Sequence, residues 1–409
     1  VLRCLPPLEG SRKGALYLHM PLTFLKRTFI SPLLEFIHDS RAVGIMLIIC
    51  TAVSLIIGNT AWGNSYTAFW NNEVHIANSL PHSILHWIND GLMAIFFFQV
   101  GMEIKRELIT GELASFKKSI LPVAGAFGGM LVPALLFLAF NSGTEFQNGW
   151  GIPMATDIAF SLGVASLLGK RVPLSLKIFL TALAIIDDLG AIVAIAIFYT
   201  ETIHTTYLLA GLGFIALLAV WNYLKLPFGF WNFLIGIFIW YCFFNSGVHA
   251  TIAGVLFAFT IPIKKLDKIE HGLHNYVNFL IIPIFALANT AIIIPGGFVQ
   301  NMGSNLSLGI IAGLLIGKPL GIVGFSFLLV KLKAGSLAKD IQWKHMIGLG
   351  LLAAIGFTMS IFISMLAFKS SFTQDESKMS VMLASFIAMF LAYAWFKIFT
   401  KGSSKKAVA

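Results

Sequence analysis

The chain has 409 residues, 57% of them hydrophobic and only 11% charged, with a formal net charge of +10 and a mean hydropathy of +0.86. A soluble domain carries about 25% charged residues, so the composition excludes an ordinary soluble protein and points to an integral membrane protein. The excess of cations then belongs in short loops, where the positive-inside rule places Lys and Arg, and not on a nucleic-acid surface.

Residues 1–19 mix Pro, Gly, Arg and Lys without periodicity and lack the apolar region of a signal peptide. They read as a tag or an upstream extension ahead of Met20. Cys4, Cys50 and Cys242 are few and far apart, so they form no disulfide framework or metal-type CxxC spacing and read as small buried hydrophobes.

Apolar stretches of about 20 residues predict about twelve helices, near 41–58, 84–104, 120–140, 150–168, 174–199, 206–223, 229–244, 247–262, 272–293, 307–330, 344–368 and 379–399. The cations alternate with these spans. Lys26, Arg27 and Arg41 precede the first, Lys105, Arg106, Lys117 and Lys118 follow the second, and Lys170, Arg171 and Lys177 follow the fourth. The pattern continues through Lys225, the run Lys264 to Lys268 and the run Lys331 to Lys344, while the intervening loops carry none. One loop, near 369–378, breaks the rule with Lys369 and Lys378, offset by Asp375 and Glu376. Such alternation predicts an even number of spans with both termini cytoplasmic. The expected organisation is an N-terminal segment over 1–40, a single transmembrane domain over 41–399 and a cytoplasmic tail over 400–409.

Two spans carry breaks near mid-depth, one at Ala155-Thr156-Asp157 and one within GLGLLAAIGFTMS from Gly348 to Ser360. They are the fourth and eleventh. Interrupted helices at corresponding positions of two halves point to a transport site at an inverted-repeat interface. Gly125, Gly128 and Gly129 read more simply, as helix-packing glycines.

Asp157, Asp187 and Asp188 lie well inside apolar spans, and Lys318 lies at a similar depth in AGLLIGKPLGIVG. A carboxylate at the bilayer centre costs about 3 kcal/mol on insertion scales, and such residues mark ion pathways and proton relays more often than mere helix association. Asp187 and Asp188 point about 100° apart on a helix, so they can share a cavity while facing different partners, one taking Lys318 and the other an ion. Thr156 and the free carbonyls of a broken helix add the neutral oxygens that a hard cation wants. An empty, ionised carboxylate pair carries two negative charges in low dielectric, and protons or a small cation relieve it. Protons and sodium then compete for the same oxygens, which gives obligatory exchange. A second group, Glu103, Arg106 and Glu107 with Glu270, His271 and His274, reads either as a solvated loop face or as a proton-sensitive funnel, since histidine titrates near neutral pH.

ATDIAF, LAIIDDLGAI, SGVHAT, LLIGKPLGI and GFTMSIF closely resemble the NhaA-type Na+/H+ antiporters of bacteria, and the similarity covers nearly all of residues 40–399. The resemblance implies an all-α membrane protein of twelve helices, with inverted repeats and crossed, partly unwound fourth and eleventh helices. It implies an electrogenic, pH-regulated exchange of Na+ or Li+ for H+ by alternating access in the bacterial inner membrane, with no cofactor. It makes Asp187 and Asp188 the ion and proton site, with Asp188 the main ligand of Na+. It carries Thr156 and Asp157 to the helix crossing and Lys318 to a salt bridge with Asp187. It also assigns Asp90, Glu103, Arg106, Glu107, His249, Glu270, His271 and His274 to the pH response. Family members can form a homodimer through a β-hairpin between the first two helices. Here that loop, Asn59 to His82, is short, with a weak hairpin signal around Glu73 to Asn78, so a dimer would rest on other contacts. The expected partners are Na+, Li+, H+ and membrane lipid. An intramembrane aspartyl protease would need a GxGD stretch, which the sequence lacks, so no enzymatic activity is expected. A charged exchange site argues against a channel, and a sodium-coupled symporter is the remaining alternative.

Overall fold

Hydrocarbon offers a backbone no hydrogen-bond partner, so a spanning segment must satisfy its own N–H and C=O groups. The computed structural model, which describes residues 40–74, 77, 79–200, 202–294 and 302–400, meets that demand with helices alone. Among the described residues there is one isolated β-bridge, Glu73 with Ser83. The expectations for residues 1–39, for half of the weak hairpin (75, 76 and 78) and for the tail beyond residue 400 lie outside the described residues.

Helix α1 covers Ser40–Gly58. A short α2, Gly63–Trp70, stands in the loop read as short with a weak hairpin signal, and Tyr66 in it donates to Ser54 Oγ at 3.1 Å. Then follow α3 (Ile84–Ile109) and α4 (Phe116–Asn141). A 3-10 segment, Gln147–Met154, leads through an extended break into α5 (Ile158–Leu167). After it come α6 (Leu174–Phe198), α7 (Thr205–Tyr223), α8 (Phe230–Ser246) and α9 (Ala250–Thr260). The remainder is α10 (Ile263–Asn289), α11 (Asn305–Lys331), α12 (Trp343–Ala353), α13 (Phe357–Ala367) and α14 (Ser371–Phe399).

Among the described residues nine helices are long and apolar enough to cross a membrane, and the pair α12–α13, bent by 47°, makes a tenth span. With the shorter apolar α8 and α9, the elements fall in the expected order of twelve. Local sequence marks their ends. Ser83 and Ser304 cap α3 and α11 by accepting from His86 N and Ser307 N, which satisfies donors that a helix start leaves free. Gly247, at φ +83, ends α8 in the left-handed region, and a Cβ there would stand 2.2 Å from Thr202 O.

Two boundaries differ from expectation. Helix α10 begins at Ile263 and not near 272, and α14 begins at Ser371 and not near 379. In both cases the helix continues past the apolar window into charged turns. The loop expected near 369–378 is therefore mostly helix, and Glu376 and Lys378 are buried. Glu376 Oε1 accepts from Ser304 Oγ, and from Ser307 Oγ at 3.3 Å, so it sits at the start of α11, where a carboxylate complements the helix dipole.

The packing glycines are where the sequence placed them. A Cβ on Gly128 of α4 would lie 2.3 Å from Gly321 O of α11, and one on Gly321 would lie 2.0 Å from Gly128 O. The two backbones therefore touch, and α11 is held so that Lys318 faces the middle of the bundle. Among the described residues three π turns interrupt long helices: Trp87–Leu92 in α3, Val277–Ile281 in α10 and Gly313–Gly317 in α11. The last immediately precedes Lys318, and the first contains Asp90.

Candidate functional site

The two breaks meet. Ala155 to Asp157 run extended between the 3-10 segment and α5, while Ala354 to Gly356 separate α12 from α13. Asp157 N donates to Ile355 O at 2.7 Å. Hydroxyls of one segment serve carbonyls of the other: Ser161 Oγ donates to Leu352 O and Ser360 Oγ to Ile152 O, both at 2.7 Å. Each unwound stretch thus supplies the hydrogen bonds that the other lost, which is the condition for irregular backbone at membrane depth.

Four half-helix ends converge here, and three of them are matched by charge, while the Thr156 hydroxyl meets the fourth at Ala353 O. Asp157 faces two N-termini. Its Oδ1 accepts from Phe160 N of α5 at 2.9 Å, and its Oδ2 accepts from Thr358 N at 3.0 Å and Thr358 Oγ1 at 2.5 Å, at the start of α13. Lys318 Nζ faces a C-terminus, donating to Met154 O. The pattern is anion at helix starts and cation at a helix end, as the macrodipole requires.

Lys318 Nζ also lies 3.0 Å from Asp187 Oδ2, with both side chains fully buried. The hydroxyl of Thr156 lies 2.8 Å from the same Oδ2 and 3.1 Å from Ala353 O. Asp187 therefore has one oxygen engaged and one, Oδ1, buried without a hydrogen bond. Asp188 is different again. It is 2% exposed, accepts no hydrogen bond from any described residue, and its Oδ1 is buried without a partner. Asp187, Asp157 and Glu103 are all close enough to repel its charge. A carboxylate left unpaired in a low-dielectric interior beside other carboxylates is costly unless something small and positive joins it.

The second cluster lies where α3 ends and α10 begins. Arg106 is 2.6 Å from Glu270 Oε1 and 3.4 Å from Glu107 Oε1. Glu270 Oε2 is buried without a partner. Glu103 lies one turn before Arg106 on α3, and its charge acts on both the cluster and Asp188. His271 Nδ1 contacts Asp267 O at 2.7 Å. The amide heads of Gln99 and Asn278 reach the two ring nitrogens of His274 at 3.4 and 2.9 Å.

Asp90 and His249 stand apart from this cluster. Asp90 pairs with His86 at 2.9 Å, roughly 20 Å along α3 from Glu103 at 1.5 Å per residue. His249 precedes α9, whose far end is capped by Lys105 through Phe259 O and Ile261 O at 2.6 and 2.5 Å.

Comparison with known proteins bears on what such a site does. The sequence model of the family described as "Na+/H+ antiporter 1" matches residues 34–396. A Na(+)/H(+) antiporter NhaA of Cytophaga hutchinsonii is 48% identical, covering 90% of this chain and 95% of that protein. One of Flavobacterium psychrophilum is also 48% identical, over 90% and 96%. One of Dechloromonas aromatica is 47% identical, over 94% and 99%. The chain belongs to the Na+/H+ antiporter family. It is thus a multi-pass membrane transporter, and the affiliation does not favour the symporter reading.

Several residues that shape this antiporter were absent from the sequence reading. Thr358 gives Asp157 two of its three hydrogen bonds, and the signal was present in GFTMS, whose break was recognised while its hydroxyl was not assigned. Ser161 and Ser360 were hidden among small residues of apolar spans. Gln99, with Oε1 buried and unpartnered, is a polar residue inside an antiporter span and could have been singled out on that ground alone. Asn278 and Tyr199 gave no comparable signal. Tyr199 donates to Asn148 O at 2.7 Å and accepts from Gly151 N at 3.2 Å, fixing the outer end of the 3-10 segment to the helix that bears Asp187 and Asp188.

Proposed function

We propose that the chain exports Na+ or Li+ in exchange for incoming protons, electrogenically and by alternating access, at Asp187 and Asp188. The observation that carries this reading is the inequality of the two carboxylates. Asp187 is held by Lys318 and Thr156 through Oδ2, whereas Asp188 has no fixed partner. Asp188 is the main ion ligand, and Asp187 Oδ1 is oriented to join it. Thr156 contributes to the site through Asp187. Asp157 and Lys318 balance the dipoles of the broken helices, so those helices can cross at the site and shift without exposing unmatched charge. The two carboxylates exchange two protons for one Na+, and an empty ionised pair moves poorly through the barrier. Glu103, Arg106, Glu107, Glu270, His271 and His274 adjust the rate to pH, with Glu103 linking them to Asp188, while Asp90 and His249 act from the opposite end of the fold.

The working unit is the single transmembrane domain over 41–399, built of inverted repeats in the bacterial inner membrane, with both termini cytoplasmic. If it pairs into a homodimer, contacts other than a hairpin serve.

Proteoliposomes test the mechanism. In Asp188→Asn, Na+- and Li+-dependent proton movement falls to background while the protein remains inserted, and wild-type rates in that variant would sink the assignment. With Na+-loaded vesicles and a potassium/valinomycin potential, two protons per Na+ move one net charge, so 100 mV contributes about 2.3 kcal/mol of driving force. Exchange that ignores the potential rules out the two-proton scheme and leaves Asp188 as a sufficient site.

A further inference from the structure

A groove of about 900 Å³ runs between α3, α8 and α9, and its walls are almost wholly apolar. It extends from Ile84 to Phe98 along α3, about 20 Å at 1.5 Å per residue. One end is closed by phenylalanines: Phe98 stacks on Phe257 at 5.0 Å, with Phe233 edge-on to Phe257 at 5.9 Å. The other end carries Trp87 stacked on Trp240 at 5.8 Å. Gly91 and Gly236 lie along the walls, and Gly254 lets α9 approach the α3 backbone, since a Cβ there would stand 2.2 Å from Ala94 O. The flanking residues Ile95 and Ile237 are exposed, so the groove opens sideways from membrane-spanning helices, toward the hydrocarbon of the bilayer.

Both tryptophans lie toward the face that carries residues 79–83, since Trp87 is near the start of α3 and Trp240 is in the last turns of α8. Indoles prefer the depth where acyl chains meet headgroups. Trp240 Nε1 is fixed, donating at 2.8 Å to Asp90 O of the π turn. Trp87 Nε1 is buried with no acceptor among the described residues.

We infer that this groove is a binding site for one acyl chain of a phospholipid from the leaflet on the Trp87 side. The chain lies along α3 with its tail against Phe98 and Phe257 and its ester end beside the stacked Trp87 and Trp240. The length suits a single leaflet, which contributes roughly half of a 30 Å hydrocarbon core. The walls offer no charge, so recognition is of the chain and not of a particular headgroup.

The test uses phosphatidylcholine with brominated acyl chains, whose bromine quenches nearby indoles. The full-length protein is reconstituted in this lipid and then exchanged into lipid-free detergent. Quenching that survives the exchange, together with about one phosphate retained per chain, is the expected result, and Trp87→Phe/Trp240→Phe removes the surviving component. Ile95→Phe/Ile237→Phe, which narrows the groove from its exposed rim, loses both the retained phosphate and the surviving quenching. Quenching that vanishes on exchange in the wild type, or that persists unchanged in the narrowed variant, overturns the proposal. So does cross-linking between Ile237→Cys positions of two copies in the reconstituted protein, which would make a second copy of the chain the occupant.

Discussion

The core at the helix breaks and the cluster around Arg106 handle charge in opposite ways. In the core, Asp157, Asp187 and Lys318 are at most 2% exposed, and each has a partner fixed by geometry: two helix starts, a lysine and a helix end. Burial shields these groups from bulk solvent, so an unmatched charge there is costly. Around Arg106 the pairs are partly open, with 28% of the Arg106 side chain exposed, and solvent and salt share the neutralisation. Charge balance can be held rigidly in the first region and adjusted by the surroundings in the second. Asp188 is the exception, buried like the core yet without a hydrogen bond at Oδ1.

That contrast can be broken most directly at Lys318. Lys318→Ala leaves Asp187 as an uncompensated buried charge, and losing one member of such a pair costs about 3–5 kcal/mol. The unfolding midpoint in detergent should fall far below wild type, while Lys225→Ala, at an exposed loop position, should leave it nearly unchanged. Equal midpoints would count against a structural Lys318–Asp187 pair.

A smaller effect is expected at Asp157, and it separates a cap from a ligand. Asp157→Ala deprives two helix starts of their acceptor, at about 1 kcal/mol for each cap. Asp157→Asn keeps an acceptor for Phe160 N but turns a donor toward Thr358, so its stability should be intermediate. Na+-dependent proton flux should remain measurable in Asp157→Asn, in contrast to Asp188→Asn. Complete loss in both would place Asp157 among the ion's ligands.

The smallest effect belongs to the cluster. Arg106→Ala should cost about 1 kcal/mol, and the difference from wild type should shrink from low to high KCl because exposed charges are screened. The Lys318→Ala penalty should not respond to KCl, since both of its partners are fully buried. A salt-independent Arg106 effect would mean that the two regions are electrostatically alike after all.

How much of this could be read beforehand depends on the range of the interaction. The apolar length of each span, the alternation of lysines between loops, the two mid-depth breaks and the four intramembrane charges are all local properties, so the sequence by itself determined an all-helical membrane protein with breaks in its fourth and eleventh spans and Asp157, Asp187, Asp188 and Lys318 inside it. The hydropathy pattern misplaced the starts of α10 and α14, because a helix keeps its hydrogen bonds after its side chains turn polar. Only the tertiary structure decided which charge meets which. Asp157 serves Thr358, 201 residues away, and Ser161 serves Leu352, 191 away. Likewise, adjacency on α6 left open whether Lys318 would take Asp187 or Asp188. Those choices follow from where the backbones come into contact, as at Gly128 and Gly321. No window of sequence contains both sides of such a contact.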